Sequence, residues 1–271
     1  MFARPLFLFI ILAALSFSAT TVTIVSPLSG EVGSGDIMDM GTIGPGQTVS
    51  ILLSRTVTIG GLHGEGGFMD QAIATDLPPG WTTQESKLYQ DPLQVTVSAN
   101  PDTAPGTYTF RVTVIDEKNG EKLGNVTFLA KVKVTWDVMD FDVSPKQVTV
   151  GPGQPARFTI TVTNKGSASD AFAVSAIGAR KWDFKKSVFV PSMSTKTIHY
   201  EVVGSEEDTY TPIIRVVSLA SSNIAGEKNV TLTVRSDLFG DYKATNHGTL
   251  IFPVFEGPIY ALAGLLSNFL G

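Results

Sequence analysis

Four short markers recur in this chain in the same order. Gly44-Pro45-Gly46-Gln47 returns as Gly151-Pro152-Gly153-Gln154, 107 residues later. Trp81, in LPPGWT, is matched by Trp182, in ARKWDF, at an offset of 101, and Tyr108, in GTYTFRVTV, by Tyr210, in DTYTPIIRVV, at 102. NVTFLAKVKV, from Asn125, is matched by NVTLTV, from Asn229, at 104. Ordered markers at a nearly constant offset indicate a duplication, which restricts the chain to two copies of one small unit of about 100 residues. Gly-Pro-Gly continues neither a strand nor a helix, so each GPGQ reads as a turn that feeds a strand. TVSILLSRTVTI follows the first turn and PARFTITVTN the second, with Phe158, Ile160 and Val162 on one face. That is the strand period, and almost nothing in either unit falls at the helical one. The fold class expected is all-β, with two tandem antiparallel sandwiches over residues 20–136 and 138–235. Trp81 and Trp182 are expected in the two cores, and Tyr108 and Tyr210 at the heads of late strands, where a tyrosine corner belongs.

The residues that carry this pattern also carry a resemblance. VGPGQPARFTITVTNKGSASDAFAVSA, the Trp, VFVPSMSTKTIHYEV and DTYTPIIRVVS, within residues 144–235, resemble the immunoglobulin-like domain associated with alpha-galactosidases. That domain also occurs in tandem in predicted envelope proteins of prokaryotes, archaea especially. Residues 20–136 match it less fully, chiefly at GPGQ, LPPGW and PDTAPGTYTFRVTV. The resemblance implies a non-catalytic surface module and brings no catalytic residues with it.

The ends of the chain bear on location. Residues 1–19 read MFARPLFLFIILAALSFSA, with Arg4 the only charge and an unbroken apolar run from Leu6 to Leu15. The run is about half of the roughly 20 residues a spanning helix needs, and Ser16 and Ser18 follow at the spacing of a peptidase site. Residues 1–18 therefore read as a cleaved secretory signal, with a retained anchor as the alternative. Loss of Arg4 takes the formal charge from −5 to −6, and no basic stripe is present, so nucleic acid is not the expected partner. Cysteine is absent, so an exported chain of this kind relies on its cores alone.

At the other end, GTLIFPVFEGPIYALAGLLSNFLG breaks the sandwich pattern. From Pro258, which is placed to open a helix, Ile259, Leu262, Ala263, Leu266, Phe269 and Leu270 fall at helical spacing. A helix from Gly257 onward would reach about 22 Å, short of a hydrocarbon core of roughly 30 Å. Pro253, Glu256 and Pro258 interrupt any longer span. Residues 236–271 are thus expected to form a linker and an apolar helix. It could lie in the membrane interface, dock into a membrane partner, or cap its own sandwich.

Between the turn and the Trp, the first unit is longer than the second, and the surplus falls around IGGLHGEGGFMD, residues 59–70, with five glycines. His63 and Glu65 lie there, too few for a metal site, and the glycines lack the strand-to-helix context of a phosphate loop. The segment reads as a connection between strands, with a ligand loop as the sharper alternative. At the junction, TWDVMDFDVSP gathers Asp137, Asp140 and Asp142. Calcium could use these three with backbone carbonyls, but a strand with Met139, Phe141 and Val143 on its other face explains the pattern without a metal. Asn125-Val126-Thr127 and Asn229-Val230-Thr231 are glycosylation sequons, placed alike in both units, as duplication alone would also arrange.

Histidine occurs only at 63, 199 and 247, and no nucleophile-and-base constellation or other cofactor site is visible, so an enzyme is not expected. The expected function is that of an exported, membrane-associated envelope protein. Its immunoglobulin-like units would act as spacer and binding surface, attached by the hydrophobic C-terminal segment to the membrane or to an envelope or membrane protein. The alternatives are a self-assembling filament or surface-layer subunit, and a carbohydrate-binding module that accompanies a hydrolase.

Overall fold

A computed structural model of the protein describes residues 20–118, 120–178 and 184–236. The signal segment, Trp182, and the apolar residues Ile259, Leu262, Leu266, Phe269 and Leu270 lie outside the described residues. Within them every regular element is a strand. No helix among the described residues is long and apolar enough to cross a membrane.

The first half holds eleven strands: β1 (Val22–Ser26), β2 (Gly30–Val32), β3 (Ile37–Ile43), β4 (Thr48–Leu53), β5 (Thr56–Val57), β6 (Gly67–Phe68), β7 (Gln71–Thr75), β8 (Thr82–Gln84), β9 (Leu93–Ser98), β10 (Gly106–Ile115) and β11 (Val126–Val134). One sheet runs β2-β1-β4-β9-β8 and the other β3-β11-β10-β7, with β3 parallel to β11. Taken as A, B, E and D (β1, β4, β9, β8) against G, F and C (β11, β10, β7), this is the immunoglobulin-like arrangement. Strict alternation does the work. Val49, Ile51 and Leu53 on β4 meet Phe110, Val112 and Val114 on β10 in one buried cluster, while the intervening side chains point outward.

The second half repeats the scheme in β12 (Met139–Ser144), β13 (Gln147–Val150), β14 (Pro155–Asn164), β15 (Asp170–Ile177), β16 (Lys185–Val190), β17 (Ser194–Val203), β18 (Asp208–Tyr210), β19 (Ile213–Ser218), β20 (Ala225–Asn229) and β21 (Thr231–Val234). Its sheets run β12-β14-β17, β16-β15-β19-β20 and β13-β21-β18. A second core gathers Phe158, Ile160, Val162, Phe172 and Tyr200.

The copies differ in two places for readable reasons. In the first, β8 leaves β7 and pairs with β9, because Pro78 and Pro79 have no N–H to continue a ladder beside β7. No proline separates β15 from β16, and these two pair over six residues. The strand that is continuous as β10 is split into β18 and β19 at Thr211-Pro212, where the proline again removes a donor. Its neighbour splits opposite, at Val230, whose N–H is bonded to the Pro212 carbonyl. Asn229 therefore ends β20 and does not head the last strand.

Candidate functional site: the junction and the distal tip

The two GPGQ turns are built alike. In the first, the Gln47 side-chain oxygen accepts from Gly44 N–H at 2.7 Å; in the second, that of Gln154 accepts from Gly151 N–H at 3.3 Å. The third residue is left-handed in both, with φ of 73° at Gly46 and 72° at Gly153, a conformation that favours glycine.

Their surroundings differ. The first turn is buried against the second sandwich: Gly44, Pro45 and Gln47 are all out of solvent. A Cβ on Gly46 would stand 2.2 Å from the carbonyl oxygen of Ala220, and one on Gly44 would stand 2.3 Å from the Cδ1 of Ile224. With its oxygen held inside the turn, Gln47 donates through Nε2 to the buried carboxylate of Asp170 at 2.7 Å. The same carboxylate oxygen accepts from Ser218 Oγ at 2.6 Å, and the other from Ala171 N–H at 2.7 Å. A buried carboxylate is tolerated only when it is bonded in this way.

Beside this network, Ser167 donates through both its N–H and its hydroxyl to the Thr42 carbonyl, at 2.7 and 2.9 Å. The loop that presents Ser167 is held by Asn164. Its Nδ2 donates to the carbonyls of Ala168, Val190 and Pro191, and its oxygen accepts from Gly166 N–H. Ala168 at the loop's end is packed into the first core. Asp39 supports the facing strand. The Gly41 amide, then the Lys131 ammonium, hold its carboxyl below the ordinary carboxylate range.

The structure does not bring Asp137, Asp140 and Asp142 together as ligands. Asp137 pairs with Lys165 and Asp142 with Lys228, while Asp140 accepts from Phe141 N–H. The Lys228 ammonium, then the Val143 amide, lower the Asp142 pKa. Met139, Phe141 and Val143 do face the core side of β12. No group of three His, Cys, Asp or Glu among the described residues is placed to hold a metal ion.

At the opposite end of the first sandwich, the loops before β7, before β9 and before β11 converge with Thr20, whose hydroxyl donates to the Leu123 carbonyl. The glycine-rich segment is ordered there by backbone contacts. Its Phe68 strand pairs with β5, Leu62 N–H donates to the Glu121 carbonyl, and a Cβ on Gly66 would meet the Val57 oxygen at 2.0 Å. His63 and Glu65 are exposed on it.

Arg55 anchors this tip. Its guanidinium reaches the buried carboxylate of Asp70 at 3.5 Å, donates to the Met69 carbonyl, and lies over Phe68 at 5.2 Å and Tyr89 at 5.4 Å. Lys118 covers Tyr89 at 5.0 Å and gives its N–H to Asp70. Five large apolar side chains here, Ile59, Leu62, Phe68, Leu88 and Tyr89, are each two-fifths or more exposed. Apolar and aromatic surface interleaved with cations is what interaction sites expose.

The other singled-out residues are placed as follows. Trp81 is 6% exposed, 5.5 Å from the Tyr108 ring, with its indole N–H donated to Thr103. It lies before β8 rather than on a central strand, and with the half-buried Tyr108 it lines a recess bordered by Pro78, Pro79, Asn100 and Asp102. Tyr108 donates to the Ala104 carbonyl at 2.9 Å and Tyr210 to that of Glu206 at 3.0 Å, the same corner in both copies. Asn125 and Asn229 are exposed. His199 is exposed on β17, with Nδ1 3.3 Å from the Thr159 hydroxyl.

The residues that form the junction and the tip (Asp170, Ser167, Asn164, Ser218, Arg55, Phe68, Tyr89, Lys118) carried no signal in the sequence reading. One was present. Asp70 directly precedes β7 and Asp170 opens β15, the matching strand, and both are buried.

No protein-family profile matches the chain, and no curated protein matches it in sequence. Among solved structures, a chimeric titin Z1Z2 carrying a decorin peptide aligns at 12% identity over 81% of this chain and 100% of its own, with a TM-score of 0.34. The D00-D0 domain of intimin aligns at 15% identity over 78% and 99%, with a TM-score of 0.26. Titin z1z2 in complex with telethonin aligns at 10% identity over 81% and 99%, also at 0.26. Likenesses at this level carry no conclusion about what this chain does.

Proposed function

We propose that this chain is a non-catalytic, exported envelope module. Two immunoglobulin-like units, residues 20–136 and 138–235, act as a stiff spacer that is attached through the apolar C-terminal segment and offers its distal tip to a protein partner. The junction supports the spacer reading. Its hydrogen bonds run from the first sandwich into a buried carboxylate of the second, and a joint whose polar groups are satisfied only when closed resists bending. Thr20 enters at the tip, whereas Arg235 leaves beside the second turn, its N–H bonded to the Val150 carbonyl. An attachment after residue 235 thus holds the tip outward. The signal-like residues 1–18 and the resemblance to envelope domains favour export.

Envelope fractionation of the full chain and of a chain that ends at Ser236 tests this reading. The full chain is expected with the membranes and the shortened one in the soluble fraction. Retention of the shortened chain on membranes would refute attachment by the tail, and polymer-sized particles from purified full chain would favour the filament reading.

A further inference from the structure

The two outer faces of the second sandwich differ in kind. On the sheet β12-β14-β17 the outward side chains are polar: Thr159, Thr161 and Thr163 on β14 meet His199, Thr197 and Thr195 on β17, each within hydrogen-bond distance. The sheet β16-β15-β19-β20 turns apolar side chains outward instead, and strand register sets them in rows. Phe189, Ala171 and Leu219 make one row, Ala173, Val217 and Ala225 the next, and Ile177 with Ile213 the last. Phe189 and Leu219 are each 62% exposed, and Ile177 is 47% exposed. The matched strand of the first sandwich, β10, presents Thr109, Arg111 and Thr113 outward. The apolar face is thus a property of the second copy alone, and a contiguous exposed apolar face marks an interaction surface.

Two properties of the face decide what fits it. Its central strands are unequal: β15 points out Ala171, Ala173 and Ser175, whereas β19 and the residue after it point out Arg215, Val217 and Leu219. Its one charged row runs from a cation at one edge, Lys185 on β16, through Arg215 to an anion at the other, Glu227 on β20. Such a surface is complementary to itself. We infer that it docks on the same face of a second copy of the chain, about a two-fold axis that runs along the strands between β15 and β19. Each β15 then lies against β19 of the other chain, small side chains against large ones, as two packed sheets require. Lys185 of each chain faces Glu227 of the other. An axis across the strands would set β15 on β15 and β16 on β16, small against small and cation edge against cation edge. The axis along the strands also keeps both distal tips pointing one way and both exits after Arg235 at one end. The pair therefore suits attachment to one surface, although the inference does not rest on that attachment.

The absence of cysteine makes the geometry testable in the full chain, held in a mild detergent. One preparation carries Lys185→Cys and another Glu227→Cys; the two are mixed and treated with a bismaleimide of roughly 10 Å reach, the spacing of packed sheets. Unlike positions face each other at about that distance, whereas like positions stand about 14 Å further across the sheet, three strand spacings. Cross-linked dimers are expected from the mixture and not from either preparation alone. Equal yields from all three, or none from any, would overturn the inference. Sedimentation of the parent chain at micromolar concentration is expected to give a dimer; a monomer, as when the face is covered within its own chain, would overturn it too. Val217→Glu leaves the core side of β19 intact and puts an unpaired carboxylate at the centre of the contact. Association is expected to weaken roughly a hundredfold while the circular dichroism spectrum stays that of the parent. A folded variant that dimerises like the parent would overturn the inference.

Discussion

Gly46 and Gly153 share a backbone angle to within a degree and differ in what stands over them. Over Gly46 lies the Ala220 carbonyl of the next sandwich; over Gly153 there is no described atom within 4 Å. The same four residues thus make the same turn twice, with the same glutamine bond inside it, and only one turn is a joint. What makes it so lies on the other side, in Asp170, Ser167, Ala220 and Ile224. A turn motif fixes local backbone geometry, whereas an interface needs two complementary surfaces, and the second surface is more than 100 residues away in sequence.

The largest expected effect on this contrast comes from Asp170→Ala. It removes the acceptor shared by Gln47 and Ser218 and leaves two buried donors unpaired, at about 1–3 kcal/mol each. Calorimetry should show a loss on the order of 2–5 kcal/mol and two melting events that separate, because the shared network is gone. A mutant that still melts as the parent would remove the network from the account of the joint. The glutamines sharpen the comparison at a smaller scale. Gln47→Ala loses the turn bond together with a bond to a carboxylate, about 2–4 kcal/mol in sum, whereas Gln154→Ala loses only the turn bond, about 1 kcal/mol. Chemical denaturation of the two variants in parallel measures the difference, and a larger loss at Gln154 would reverse the assignment of roles.

Much of the fold was legible because it is written in local alternation. Phe158, Ile160 and Val162 declare a buried face by period alone, and Tyr108 and Tyr210 mark the same corner because a single side-chain bond to a carbonyl four residues back defines it. The edge strands were less legible, since the different pairing of β8 and β16 turns on Pro78 and Pro79 lying between two strands. The candidate sites were hardest to read. At the tip, Arg55, Phe68, Tyr89 and Lys118 come from four segments with no shared spacing. The aspartates of the junction were conspicuous as a cluster, yet the chain turns Asp137 and Asp142 to different lysines, while the lone Asp170 carries the joint. Asn164 was marked by no motif, although four hydrogen bonds make it the brace of the docking loop.

The central claim is that the first GPGQ turn is an interdomain joint and the second is not engaged by a sandwich. Gly46→Ala and Gly153→Ala, measured side by side by calorimetry, test it most directly. Both variants meet the same left-handed backbone penalty, about 1–2 kcal/mol, so it cancels in the comparison. Only Gly46→Ala also drives a methyl group against the Ala220 carbonyl, which adds about 1–3 kcal/mol of overpacking. The account predicts a loss at Gly46 that exceeds the loss at Gly153 by that amount. Equal losses at the two glycines would contradict it.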